Sequence, residues 1–155
     1  MTSTAQATAA PIMRNFLGKE YTLTPLKDKD YGEFENFIQD RVMDVARRNV
    51  AGLSEKDRKE LLAHAFDKAS SLTLSSPDAL RHMESVPGVT KLLFLSLRHA
   101  HPEITEDEVG ALITDPSVLE SAMQALEVFT PRVPTEKKAH LHQRKVKRKK
   151  RVKPT

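Results

Sequence analysis

The chain contains no cysteine and no tryptophan, and only five of its 155 residues are glycine. Without thiols there is no disulfide, no thiolate metal site and no cysteine nucleophile, and the redox compartment is left open. So few glycines exclude a glycine-rich cofactor cradle as a dominant feature. The sequence also lacks a G-x-S-x-G elbow, a P-loop and a dinucleotide fingerprint. Aromatic residues make up 5% of the chain, so a core must come mainly from Leu, Val, Ile, Ala and Phe. LLFLSL (residues 92–97) is the most apolar run and falls far short of a membrane span. The first ten residues are mostly Ser, Thr, Ala and Gln, with no basic segment leading into an apolar one, so no signal peptide is expected.

Charge is present but unevenly placed. The net +4 divides into +10 over residues 132–155 and −6 over residues 1–131. An acidic body therefore carries a basic tail.

Residues 1–17 read as a flexible leader, with Pro11 opposing a continuous helix. In KEYTLTPLK, Tyr21 and Leu23 alternate as in a short strand, which Pro25 cuts off; an extended arm on the helices fits equally well. Beyond this point the pattern is helical. Asp30 is placed to cap a first helix, with Glu33 as its reciprocal partner. Phe34, Ile38, Val42 and Val45 give that helix one apolar stripe. Gly52 ends it, and Ser54 with Asp57 opens a second, whose inward face is predicted as Leu61, Leu62, Ala65, Phe66 and Ala69. Ser76-Pro77 starts a short third helix ending near Ser85. Residues 89–99 predict the most buried helix. Asp115-Pro116 opens a last amphipathic helix with Val118, Leu119, Ala122, Leu126 and Phe129 facing inward, and Pro131 and Pro134 end the folded part.

The expected fold is mainly α: a small bundle of five to six short helices with a possible short N-terminal strand. The division is a leader over 1–17, a helical domain over 18–131 and a basic disordered tail over 132–155.

The stretch LFLSLRHAHPEITEDEVGAL (residues 93–112) raises a metal question, because His99, His101 and Glu103 lie close together. Chain physics assigns most of it another role. Thr105 and Glu108 form a capping box, and Ile104 and Val109 occupy the two staple positions. Pro102 stops the preceding helix, and His99 sits favourably near a helix C-terminus. There is no H-E-x-x-H, His64 and His82 are isolated, and His140 and His142 lie in the tail. The stretch is read as a structural joint, with no metal or other cofactor expected. A DNA-reading helix-turn-helix is opposed by the three acids of TEDEVGAL, which would meet phosphate where a recognition helix docks. Paired carboxylates such as Asp28/Asp30 and Glu33/Glu35 suit helix starts better than a catalytic dyad.

The tail segment RKVKRKKRVK places eight cations in ten positions: Arg144, Lys145, Lys147, Arg148, Lys149, Lys150, Arg151 and Lys153. These are the candidate polyanion contacts. Five to eight phosphate contacts would give a salt slope of about −5 to −7. With no aromatic residues between them, binding to nucleic acid would be blind to sequence. A solvated terminus, nucleic acid and an acidic protein, including the acidic body itself, all remain open as readings. KRKKR also matches a nuclear-localisation pattern, which is common in basic tails.

Three segments together resemble a known family. Y-x-L-x-P-L (Tyr21 to Leu26) leads into GEFENF (residues 32–37), and an apolar helix runs into SLRHAHPEITEDEVGALI (residues 96–113). Over roughly residues 19–130, this is similar to the tail assembly chaperones, and related small helical tail-assembly proteins, of long-tailed bacteriophages. The resemblance implies a non-enzymatic protein of the host cytoplasm, without a membrane anchor. It would hold the phage tape-measure protein soluble while the tail assembles, with the tail tube protein as a further candidate partner. That class has no fixed active-site residues to carry over, and the basic tail departs from its pattern. Grooves between short helices suit apolar helical segments of a client. Candidate client contacts are Phe34, Phe37 and Phe66, with Phe37 either exposed beside the stripe or filling the core next to Phe34.

Overall fold

The computed structural model describes residues 10–129. The basic tail, its eight candidate contacts and the first nine residues lie outside them. The described chain is mainly helical, running in order β1 (Ile12–Phe16), β2 (Lys19–Leu23), α1 (Asp28–Asn49), α2 (Glu55–Ser71), α3 (Pro77–Glu84), α4 (Val86–Leu97), α5 (Glu106–Ile113) and α6 (Pro116–Phe129).

The strand expected around Tyr21 and Leu23 is present, and it has a partner inside the expected leader. β1 and β2 pair antiparallel, from Ile12 opposite Leu23 to Phe16 opposite Lys19. The leader reading therefore fails over residues 12–17. The turn explains why the hairpin forms: Leu17 and Gly18 have φ of 52° and 84°, the two positive values that match the twist of paired strands. The Asn15 side chain accepts the Gly18 N–H at 2.9 Å. Phe16 is buried, and its ring stands 5.6 Å from that of Tyr21.

Helix α4 is the centre of the fold. It is apolar around most of its circumference, which is the pattern of a helix enclosed by neighbours. Leu92, Leu93, Leu95 and Leu97 are all buried. It packs against α1, α3, α5, α6 and β2, and matches the helix expected to be most buried. It starts at Val86 rather than residue 89 because Ser85 acts as its cap, accepting the Gly88 N–H, and Pro87 fits the first turn. The buried Ser96 and Thr24 exchange hydrogen bonds: Thr24 N and Oγ1 donate to the Ser96 carbonyl, and Ser96 Oγ donates to the Thr24 carbonyl at 2.8 Å. This ties the end of the hairpin to the central helix.

One cap assignment needs correction. α1 opens at Asp28 with Lys27 at the cap position, so Asp30 lies at N3 and accepts the Lys27 N–H at 2.8 Å. Ser76 holds the cap position of α3 as expected, but its side chain makes no cap bond: the hydroxyl turns back to the Thr73 N–H and carbonyl, and Pro77 opens the helix.

Candidate functional site

The joint after α4 is held by contacts between distant segments. Asp30 is 1% exposed. Its Oδ1 accepts from Arg98 Nη2 at 2.6 Å, and its Oδ2 meets His99 Nε2 at 2.8 Å. Arg98 also forks onto Glu33 at 2.8 and 3.0 Å. Burial alone would push the Asp30 carboxyl up; the Lys27 amide, His99 and Arg98 together more than reverse this and hold it below its ordinary 3.8. Glu33 is likewise held below 4.5, chiefly by its hydrogen bonds from Arg98.

His101 points elsewhere. Its Nε2 accepts the Thr22 N–H at 3.0 Å, its ring meets Tyr21 edge-on at 5.5 Å, and Nδ1 lies 3.8 Å from Glu103. The acceptor role at Nε2 leaves the proton on Nδ1, facing that carboxylate. His99 and His101 thus serve α1 and β2 respectively. Among the described residues no group of three or more His, Asp or Glu side chains is arranged to hold a metal. Thr105 and Glu108 form the expected capping box, at 2.9 and 3.2 Å, and Val109 is buried with Ile104 packed against the core.

The pairing of His99 with Asp30 has the first two members of an acid–base relay. His99 makes no hydrogen bond to a hydroxyl among the described residues. What the arrangement does in physical terms is clamp. Asp30 in the first turn of α1 and Glu33 just after it meet the Arg98 guanidinium at the end of α4, so each helix dipole favours the charge it receives.

The candidate client residues fall in three different settings. Phe34 lies wholly within the core, 0% exposed, where a partner cannot reach it. Phe37 is half-buried against the core, 5.8 Å from the Phe34 ring, with the Arg41 and Lys91 cations over its own ring. Phe66 is 62% exposed.

The exposure of Phe66 corrects the inward face expected for α2. Only Ala65 and Ala69 of that helix are buried, with Leu61 and Leu62 half-buried. α2 packs principally on α1, so one neighbouring helix covers too narrow a strip to bury the whole apolar face. The same holds for Val45, 47% exposed at the end of the α1 stripe. Ala46, Ala65 and Ala69 are buried but stand outside the main core cluster. The second half of α1 and α2 therefore form an arm with a seam of small residues, carrying Val45, Leu53 and Phe66 on its surface.

Val45 and Leu53 went unrecognised in the sequence as exposed positions, because helical spacing identifies an apolar face without saying whether anything covers it. Among the described residues no helix is long and apolar enough to cross a membrane. Comparisons with protein-family models, curated proteins and solved structures give no match.

Proposed function

We propose that this is a non-enzymatic assembly chaperone of the kind found in long-tailed bacteriophages, acting in the host cytoplasm. In this reading the α1–α2 arm receives apolar helical segments of a tape-measure protein, and the tail tube protein is a possible further partner. One observation carries the proposal: Phe66, Val45 and Leu53 are exposed on an arm that stands outside the main core. Leu62 lies one helical turn before Phe66, so the two share a face of α2. A client helix laid along that face would bury apolar surface on both partners.

A second reading rests on the density of cations in RKVKRKKRVK: a nucleic-acid-associated structural protein whose tail neutralises phosphate. An acidic protein could satisfy the same tail.

The two separate in affinity capture from cells carrying the parent virus, after nuclease treatment and a wash at about 0.3 M salt to screen exposed charges. The chaperone reading expects a long helical tape-measure protein on the full chain and on residues 1–131, and its loss from Phe66→Asp. Retention of nucleic acid through the tail alone, in a low-salt sample without nuclease and with no such client on either form, would overturn it in favour of the second reading.

A further inference from the structure

The body is acidic overall, yet one depression on it is basic. Lys68 and Leu72 at the end of α2, with Asp78, Arg81 and His82 of α3, line an open hollow of about 260 Å³. Its floor is fixed. Leu72 is 3% exposed, and its carbonyl accepts from Gln39 Nε2 of α1 at 3.0 Å. Two residues on, the Leu74 N–H donates to Glu35 of α1 at 3.2 Å. The loop between α2 and α3 is therefore clasped to α1, and the lining side chains project from anchored backbone.

The cations here are not neutralised. Lys68 and Arg81 take part in none of the ion pairs found among the described residues. Burial holds the His82 imidazole below its ordinary 6.5, Arg41 of α1 and Lys68 push it the same way, and Asp78 opposes them. Lys68 and Arg81 against one lining carboxylate, Asp78, leave an excess of positive charge beside the buried Leu72. Two cations that have no protein partner, on a fixed frame, suit an anion of more than one charge.

We infer that this hollow binds a phosphate oxyanion, held by Lys68 and Arg81 with the His82 ring beside it. The guanidinium of Arg81 supplies the planar pair of N–H donors that matches two phosphate oxygens, and Lys68 supplies a compact charge. Asp78 works against binding and weakens the site. The phosphate could belong to a free monoester or to a nucleic-acid strand; both present the same oxyanion. This inference is independent of the chaperone reading, since no residue of the hollow is among the exposed apolar positions of the arm.

The test is NMR on the full chain at low ionic strength, where exposed charge is least screened. Inorganic phosphate and an oligonucleotide without terminal phosphates are titrated separately, with chloride as the control anion. Saturable shifts at the Leu72, Asp78 and Arg81 amides and the His82 ring are expected with phosphate, and the His82 titration should move upward when the site is filled. Lys68→Ala and Arg81→Ala should each weaken binding roughly tenfold, the effect of one lost charge-assisted contact, while melting temperature is kept. Asp78→Asn should tighten it. If the oligonucleotide moves these same resonances, the source is a strand; if only phosphate does, it is a free ester. Shifts confined to residues 132–155, equal shifts with chloride, or indifference to Arg81→Ala would overturn the site.

Discussion

His99 Nε2 lies 2.8 Å from Asp30 Oδ2, and this contact, just past the end of α4, pins the central helix to the first turn of α1. Asp30 is buried while its partners are about a quarter exposed, with side-chain values of 25% for Arg98 and 26% for His99. Removing its charge would leave the Arg98 guanidinium and the His99 ring without their shared acceptor. Because both partners reach solvent, the loss is smaller than for a fully enclosed pair.

Asp30→Asn should therefore cost about 2 kcal/mol at neutral pH, read by urea denaturation. The sign with pH follows from a folded carboxyl held below its ordinary 3.8, alongside Glu33 held below 4.5. Their stabilisation is fully present above those ordinary values and is lost as pH falls through the lower folded ones. The gap between the native protein and Asp30→Asn should close on acidification into that range. A gap that widened in acid would contradict the assignment.

At the α3–α4 corner, Gly88 is fixed by a close backbone approach. A Cβ built there would stand 1.7 Å from the His82 carbonyl oxygen, which is backbone and cannot rotate away. Ser85 bridges the same corner, donating to that oxygen at 2.6 Å and accepting from the Gly88 N–H. Gly88→Ala should lower stability by about 3 kcal/mol. Gly110 in α5 has nothing within 4 Å of the equivalent position, so Gly110→Ala should instead raise stability by roughly 0.5–1 kcal/mol. Paired thermal melts of the two variants check both signs.

These cases also show which parts of the fold are legible in sequence. The Thr105–Glu108 box is readable because both partners lie within one turn, and the centrality of α4 because its composition leaves no polar face. Asp30 looks like an N-cap from its neighbours alone, since its side-chain partners, Arg98 and His99, are 68 and 69 residues away. β1 escapes notice because exposed Met13 and Leu17 flank its inward Ile12 and Phe16 and blur the alternation. The basic hollow gives no local signal: Lys68 and Arg81 belong to different helices and meet only through the loop between them. For the arm, spacing locates the apolar residues correctly and is silent about what covers them.

Phe34 and Phe66 turn that distinction into a measurement. The two aromatics read alike in sequence but are 0% and 62% exposed. Phe34→Ala should cost roughly 3–5 kcal/mol through the cavity it leaves. Phe66→Ala should stay within about 0.5 kcal/mol, so any loss of client capture by a Phe66 variant would report on binding rather than folding. Equal destabilisation by the two would mean that Phe66 is covered in the protein at large.

The arm should also open before the core does. The fully buried residues of its seam are Ala46, Ala65 and Ala69, whose three methyl groups contribute only about 2–3 kcal/mol, with Leu61 and Leu62 half-buried beside them. α2, 17 residues long, depends for most of its stability on packing against its neighbour. Its amides should therefore exchange with solvent through a local opening, while those of α4 exchange only when the whole domain unfolds. Hydrogen exchange resolved by mass spectrometry would separate the two classes, with the Gln39 and Glu35 contacts to the α2–α3 loop marking the boundary. Protection of α2 equal to that of α4 would show the arm to be part of the core. Slower exchange in α2 after adding an amphipathic client helix, with α4 unchanged, would place the partner on the arm, because only a contact made there can suppress an opening confined to it.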